Sequence, residues 1–136
     1  MDSRRVEARI QNQISDVGTV ADLVDRFCAT HKLSNQLLVA LSVSLDEALS
    51  NIIKYAYSDQ NRHSIRVQLA YEPDGVAATV EDDGRPFDPL SAPQLDLASP
   101  ERNGGFGIHF IRNLMDDVRY FRDGGLNRLV MRKRIV

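Results

Sequence analysis

Apolar residues recur along this chain with two periods. At the N-terminus Val6, Ala8 and Ile10 alternate with Arg5, Glu7 and Arg9, which predicts a short strand with one polar face. Val17, Val20, Leu23, Val24, Phe27 and Cys28 then repeat at helical spacing, and Ser15 or Asp16 stands where an N-cap is needed. His31-Lys32-Leu33 breaks the pattern. Ser34 caps a second helix that the spacing carries to about Tyr57. Advancing about 100° per residue, Leu38, Leu41, Leu45, Ala48, Leu49, Ile52 and Ala56 gather into one stripe, with Glu47, Asn51 and Lys54 together on its flank.

Period two returns after the polar loop 58–61. Ile65, Val67 and Leu69 alternate with polar positions, Glu72-Pro73-Asp74-Gly75 is a strong turn, and 76–82 completes a hairpin. The segment 83–107 carries four prolines and reads as irregular; a loop this long inside a compact domain is usually functional. A third helix is predicted over 108–115, with Ile108, Ile111, Leu114 and Met115 inward. Val118, Tyr120 and Phe121 open a strand, Gly124-Gly125 turns the chain, and 126–135 makes the last strand. The order predicts one α+β domain over 1–136, a two-layer sandwich with helices on one face of a mostly antiparallel mixed sheet.

Composition narrows the function more than the fold. The chain has 136 residues and a formal net charge of -2, which gives no electrostatic reason to expect direct nucleic-acid binding. The basic stretch 128–134 is interleaved with apolar residues and reads as the polar face of the final strand. Cys28 is the only cysteine, which excludes an internal disulfide and a multi-cysteine metal site; it reads as a buried structural thiol. No run approaches the roughly 18 apolar residues of a membrane span, and the N-terminus lacks the apolar centre of a signal peptide. A cytoplasmic protein without a membrane partner is expected.

Three stretches can carry chemistry. On the long helix, Glu47 and Asn51 sit one turn apart, where a carboxylate and an amide can point at one small object. Taken alone they suit a solvated polar face better. Asp82-Asp83-Gly84 closes a strand, where a carboxylate can accept from an exocyclic amino group and the glycine lets backbone approach a flat ring; a simple acidic turn has the same letters. Asn103-Gly104-Gly105-Phe106-Gly107-Ile108 precedes a helix, where exposed backbone N–H groups and the helix dipole favour an anion, or where glycines make a hinge. No Gly-Lys-Ser/Thr follows, so this is not a lysine P-loop, and no βαβ unit makes it a dinucleotide fingerprint.

Taken in order, Glu-x-x-x-Asn, Asp-x-Gly and Gly-x-Gly resemble the GHKL (histidine-kinase-like) ATP-binding superfamily with its Bergerat-type fold. The stretches Asp82-Asp83-Gly84-Arg85-Pro86-Phe87-Asp88-Pro89 and Gly104-Gly105-Phe106-Gly107-Ile108-His109-Phe110-Ile111-Arg112-Asn113-Leu114-Met115-Asp116 look like its bacterial anti-sigma-factor serine kinases. The resemblance implies ATP and Mg²⁺ as cofactors. It implies Glu47 as catalytic base, Asn51 as the Mg²⁺ ligand, Asp82 and Gly84 at the adenine, and Gly104, Gly105, Phe106, Gly107 and Ile108 at the phosphates. Lys54 stands where relatives often carry histidine and can touch a phosphate, and Asn127 stands loosely where they place a hydroxyl near adenine. The segment 89–103 would be the ATP lid. Pro86 departs from the wider superfamily, which often has a second glycine there.

The implied activity is a protein-serine kinase that phosphorylates a small anti-sigma-factor antagonist, works as a homodimer and has a sigma factor as a further partner. An ATP-gated binding module that sequesters a partner is the rival class, and the catalytic piece of a two-component system a third. His31, His63 and His109 show no metal spacing, and none sits in a separate helical phosphoacceptor region.

Overall fold

The computed structural model describes residues 4–59, 61–86 and 106–135, with the side chains of 106–109 left aside. Five strands and three helices follow in the order β1 (Arg5–Gln11), α1 (Val17–Thr30), α2 (Asn35–Tyr55), β2 (Ser64–Glu72), β3 (Gly75–Asp82), α3 (Phe106–Leu114), β4 (Asp117–Asp123) and β5 (Leu126–Arg134). The sheet order is β1-β2-β3-β5-β4. All four described pairings are antiparallel, so the parallel component expected of a mixed sheet does not occur among the described residues.

Strand alternation sorts the sheet into two faces. Toward the helices stand Val67, Val80 and Leu129, paired in one row that ends on Tyr120; the next row toward the strand ends is Asp82, Asn127 and Arg122. The apolar row is buried at Val67, Val80 and Leu129. The opposite face carries a cross-strand ladder of alternating charge, Glu7–Arg66–Glu81–Arg128. The basic stretch of β5 therefore does face outward, with Arg128 on Glu81 and Arg132 on Glu72.

Helix α2 is the centre of the second layer. Ser34 caps it, its hydroxyl accepting from the Leu37 N–H at 3.2 Å. Leu41, Leu45, Ala48 and Leu49 are buried as the stripe predicted, while Leu38 and Ile52 are only half-buried. Leu37, Ala40 and Ser44 are buried as well, because α1 and α3 both pack against α2 and widen its covered face. Truncating such a buried leucine to alanine typically costs about 2–5 kcal/mol. By length and composition α2 is apolar enough to cross a membrane, contrary to the count of uninterrupted apolar residues, which Asp46 and Glu47 interrupt. Here it is the core helix of a sandwich, and those seven buried residues account for its composition.

The start of α1 differs from expectation. A 3-10 turn at Ile14–Asp16 precedes it, and Asp16 occupies the N-cap without a capping bond. Its carboxylate instead accepts from the Gln11 N–H at 3.0 Å, tying the turn to the end of β1. Cys28 is buried, as expected, and burial followed by the charge of Asp25 pushes its thiol pKa up, which suits an inert packing role.

Candidate functional site

The polar corner at the ends of β3 and β5 is built by strand register. The loop of β4–β5 is Gly124-Gly125, with φ of 59° and 79°; both positions need the left-handed region, and glycine occupies it without the Cβ penalty. This two-residue turn sets Arg122 opposite Asn127, and β3–β5 pairing sets Asn127 opposite Asp82. Asp82 and Asn127 are both buried, at 4% exposure each.

Asp82 Oδ1 accepts from the Gly84 N–H at 2.8 Å and from Asn127 Nδ2 at 3.0 Å. Among the described residues Oδ2 accepts nothing. Burial raises the Asp82 carboxyl pKa above its ordinary value, against the pull of Asn127 and the Gly84 N–H. The Asn127 amide is already engaged. Its Nδ2 also faces the carbonyls of Gly84 at 3.2 Å and Arg85 at 2.9 Å, and its Oδ1 accepts from the Tyr120 hydroxyl and from Arg122 Nη1 at 3.1 Å. The donor-only guanidinium and the acceptor-only carbonyls fix which way this amide points. Asn127 thus supports Asp82 from within the protein.

Gly84 is required by a close approach to helix α2. A Cβ at this position would lie 2.6 Å from the Ala56 carbonyl oxygen and 2.7 Å from the Ala56 Cβ. The Ala56 carbonyl also accepts from the Arg85 N–H at 2.9 Å, so the turn after β3 is sewn onto the helix C-terminus. Beside this seam the Tyr57 ring stacks on His63 with centroids 4.0 Å apart, and the Tyr57 hydroxyl donates to Asp83 at 3.0 Å. Burial first, then this bond to a carboxylate, raise the Tyr57 pKa. His63 lies 2.8 Å from Asp59 and 3.7 Å from Asp83, so it has the acidic neighbours that its sequence surroundings did not suggest.

From this corner a narrow cleft of about 30 Å³ runs under α2. Ala48, Ile52, Val80, Ile111, Leu129 and Tyr120 wall it; Asp82 and Asn127 make its polar end, and Asn51 lines it from the helix. A roomier seam of about 440 Å³ lies between α1 and α2, lined by Val17, Val20, Ala21, Val43, Asp46 and Glu47 among others. Room alone does not make it the better site. Its walls are two helices, and its carboxylates, Asp46 and Glu47, are exposed or half-buried, whereas the narrow cleft ends on a buried carboxylate with one oxygen that accepts nothing among the described residues. The structure therefore gathers Asn51, Asp82 and Asn127 into one cleft and puts Glu47 on the seam one helical turn away.

The other sequence candidates divide in two. Lys54 is exposed in the last turn of α2. Gly104, Gly105 and the proposed lid 89–103 lie outside the described residues. Phe106, Gly107 and Ile108 begin α3, two residues earlier than the pattern suggested, and their side chains are likewise outside the description. Sequence reasoning missed Tyr120 and Arg122. The signal was present, since a two-residue Gly-Gly loop pairs positions 122 and 127.

Two absent groups can be tested against these residues. The apolar walls and the Asp82 oxygen that accepts nothing among the described residues match the chemistry of a flat ring bearing an amino group, as in ATP, and at about 30 Å³ the cleft has to widen to take one. For Mg²⁺ the chain offers the amide oxygen of Asn51, and no cluster of three or more His, Cys, Asp or Glu able to hold a metal exists among the described residues. A single protein oxygen suits an ion that keeps its waters and takes its other ligands from phosphates. Such an ion, when bound, neutralises charge on the phosphates.

These features define a two-layer α+β sandwich with an apolar cleft, polar at one end, beneath its central helix. A family model described as "Histidine kinase-like ATPase domain" matches residues 10–133. Serine-protein kinase RsbW of Listeria monocytogenes serotype 4a is 30% identical over 110 residues, covering 75% of this chain and 69% of that protein. Serine/threonine-protein kinase BtrW of Bordetella bronchiseptica is 33% identical over 104 residues, covering 72% and 71%. Among solved structures, the RsbU and RsbW domains of Rv1364c from Mycobacterium tuberculosis superpose with a TM-score of 0.68 at 14% identity; the match covers 96% of this chain and 32% of that one. The chain belongs to the histidine kinase-like ATPase domain family, on the serine-protein kinase branch that holds RsbW and BtrW.

Proposed function

We propose that this protein is an ATP-dependent protein-serine kinase of a partner-switching system, acting in the cytoplasm on a small anti-sigma-factor antagonist. A sigma factor is its second partner and a homodimer its working form. The observation that carries the reading is the buried Asp82 carboxylate, with one oxygen that accepts nothing among the described residues, at the end of an apolar cleft lined by Asn51, in a chain whose relatives are named serine-protein kinases. Asp82 accepts the adenine amino group. Asn51 holds Mg²⁺ against the phosphates, with the amides of the glycine stretch at 104–108 and Lys54 beside them. Phosphoryl transfer needs positioning and charge neutralisation more than covalent work by the protein. Glu47 accepts the proton of the incoming serine hydroxyl.

The place of Glu47 also favours a second reading. It lines the α1–α2 seam while Asn51 lines the cleft, so nucleotide binding has no need of it. An ATP-gated module that sequesters its partner, with little or no transfer, uses the same cleft. A transfer assay with labelled ATP and the purified antagonist separates the two. Glu47→Ala abolishes serine phosphorylation, a loss of about 10²-fold or more, and leaves ATP affinity nearly intact. Equal transfer by wild type and mutant removes the base assignment. No transfer by wild type, with ATP-dependent partner binding retained, establishes the binding module.

A further inference from the structure

The corner around Asp82 is crowded with acceptors. Asp82 Oδ1, the Gly84 and Arg85 carbonyls and Asn127 Oδ1 converge there, and the two Nδ2 hydrogens of Asn127 face three of them. The Gly84 N–H and the Tyr120 hydroxyl add neutral donors. Among the described residues one cation is hydrogen-bonded into this corner. Arg122 reaches in from β4, and its Nη1 donates to the Gly84 carbonyl at 2.8 Å and to Asn127 Oδ1 at 3.1 Å. It thereby bridges the turn after β3 to the side chain that holds Asp82.

We propose that Arg122 is a positioning residue of the nucleobase pocket: by tying the Gly84 carbonyl to Asn127 Oδ1 it holds Asp82 with Oδ1 occupied and Oδ2 as the one acceptor offered to an exocyclic amino group. The inference rests on the reading that this cleft takes the base of ATP. Two consequences follow from hydrogen-bond chemistry. An ionised carboxylate accepts only, so it favours a 6-amino purine and repels a 6-oxo one; a protonated carboxyl can donate and loses that discrimination. The guanidinium favours the ionised form, against the burial of Asp82. Among the described residues the other ionisable groups near Asp82 are Asp83 and Arg85 on the same turn, Tyr57 from the end of α2 and Tyr120 from β4, with His63 beyond Asp83 and held by Asp59; of the cations only Arg122 is hydrogen-bonded to the group that holds Asp82.

The test compares ATP with inosine triphosphate, which carries an oxo acceptor in place of the amino donor. Both are titrated into the full chain at neutral and mildly acidic pH, using wild type, R122M, R122K and, as a control on the same strand, R119M. Arg119 is exposed and pairs with Asp117. Wild type prefers ATP. R122M loses about tenfold of that preference, the size expected for a charge-assisted bond, and loses the remainder at a higher pH than wild type does. R122K, which keeps a cationic donor, retains most of the preference, and R119M behaves as wild type. Should R122M not fold, R122Q, a neutral donor, is read in its place. An unchanged ATP preference in R122M, or an equal loss in R119M, overturns the inference while the ATP reading stands. A wild type that binds neither nucleotide overturns both.

Discussion

The Asp82 carboxylate and the Asn127 amide, 45 residues apart in the chain, are hydrogen-bonded at 3.0 Å across paired strands and buried at 4% exposure each. A buried carboxylate that is bonded, among the described residues, through only one oxygen is costly to ionise. Its raised pKa means the folded state binds the proton more tightly than the unfolded chain, whose carboxyl titrates near 3.8. Stability therefore falls as pH rises from about that value through the folded pKa, and above it the cost is complete. Asp82→Asn removes the cost at neutral pH. The replacement amide oxygen can still accept from the Gly84 N–H and Asn127, while its NH₂ meets the base with a donor. The expected result is an unchanged or higher melting temperature together with an ATP affinity lower by about tenfold or more, read by thermal melts and calorimetric titration.

Gly84 is held for a steric reason. Its missing Cβ is the space into which the Ala56 carbonyl and methyl fit. Gly84→Ala forces the β3 turn off the end of α2, stretching the Arg85 N–H bond to Ala56 and the Arg122 and Asn127 bonds to the Gly84 carbonyl. Overpacking of this kind costs about 1–3 kcal/mol. A denaturant titration should show that loss, and ATP affinity should fall with it because Asp82 moves with the turn.

How far these features could be read in the sequence depended on how local their causes are. The alternation of β1, β2 and β3 and the stripe of α2 follow from period alone, and they were legible to within a few residues. The 3-10 turn at Ile14–Asp16 is too short to have a period, and the capping role expected at Asp16 is displaced by its bond to Gln11. The burial of Leu37, Ala40 and Ser44 depends on α1 and α3 flanking the same helix, which is tertiary information. At the site, Asp82, Gly84 and Asn51 stood out as chemistry-bearing residues. Glu47 and Asn51, one turn apart on α2, line the α1–α2 seam and the cleft respectively. Asn127 lines the cleft and is also hydrogen-bonded to Asp82, Tyr120 and Arg122, a network that only the strand register could expose.

The outward face of the sheet carries a prediction of opposite sign to that for Asp82. Burial raises the Glu81 pKa, but Arg128 and Arg66 together outweigh it and hold the carboxyl below its ordinary 4.5. The two arginines lie 3.0 and 3.2 Å away, and the Glu81 side chain is 13% exposed. A lowered folded pKa gives stability that is present above the unfolded value and lost as pH falls through the folded one. Glu81→Gln should lower stability near neutral pH by about 1 kcal/mol, allowing for solvent screening of the exposed Arg128. Below pH 4.5 the mutant should lose less on further acidification than wild type, as followed by urea titrations across the acid range. Parallel acid limbs in the two proteins would falsify the ladder as a source of stability.

Asn51 sits one turn after Glu47 and lines the cleft that ends on Asp82, so under the proposed function its contribution belongs to ligand binding. The chain has no acidic cluster for a metal among its described residues, which leaves the Asn51 amide oxygen as the single ligand assigned to Mg²⁺. Such an ion has little affinity for the empty protein and binds together with the phosphates. Magnesium alone should therefore shift neither the melting temperature of wild type nor that of Asn51→Ala. ATP should bind wild type more tightly with magnesium than with a chelator present, and Asn51→Ala should erase most of that difference while keeping the affinity measured in chelator, since the base contact at Asp82 is untouched. Calorimetric titrations in the two buffers decide it. A magnesium increment of wild-type size in the mutant would move the metal away from Asn51.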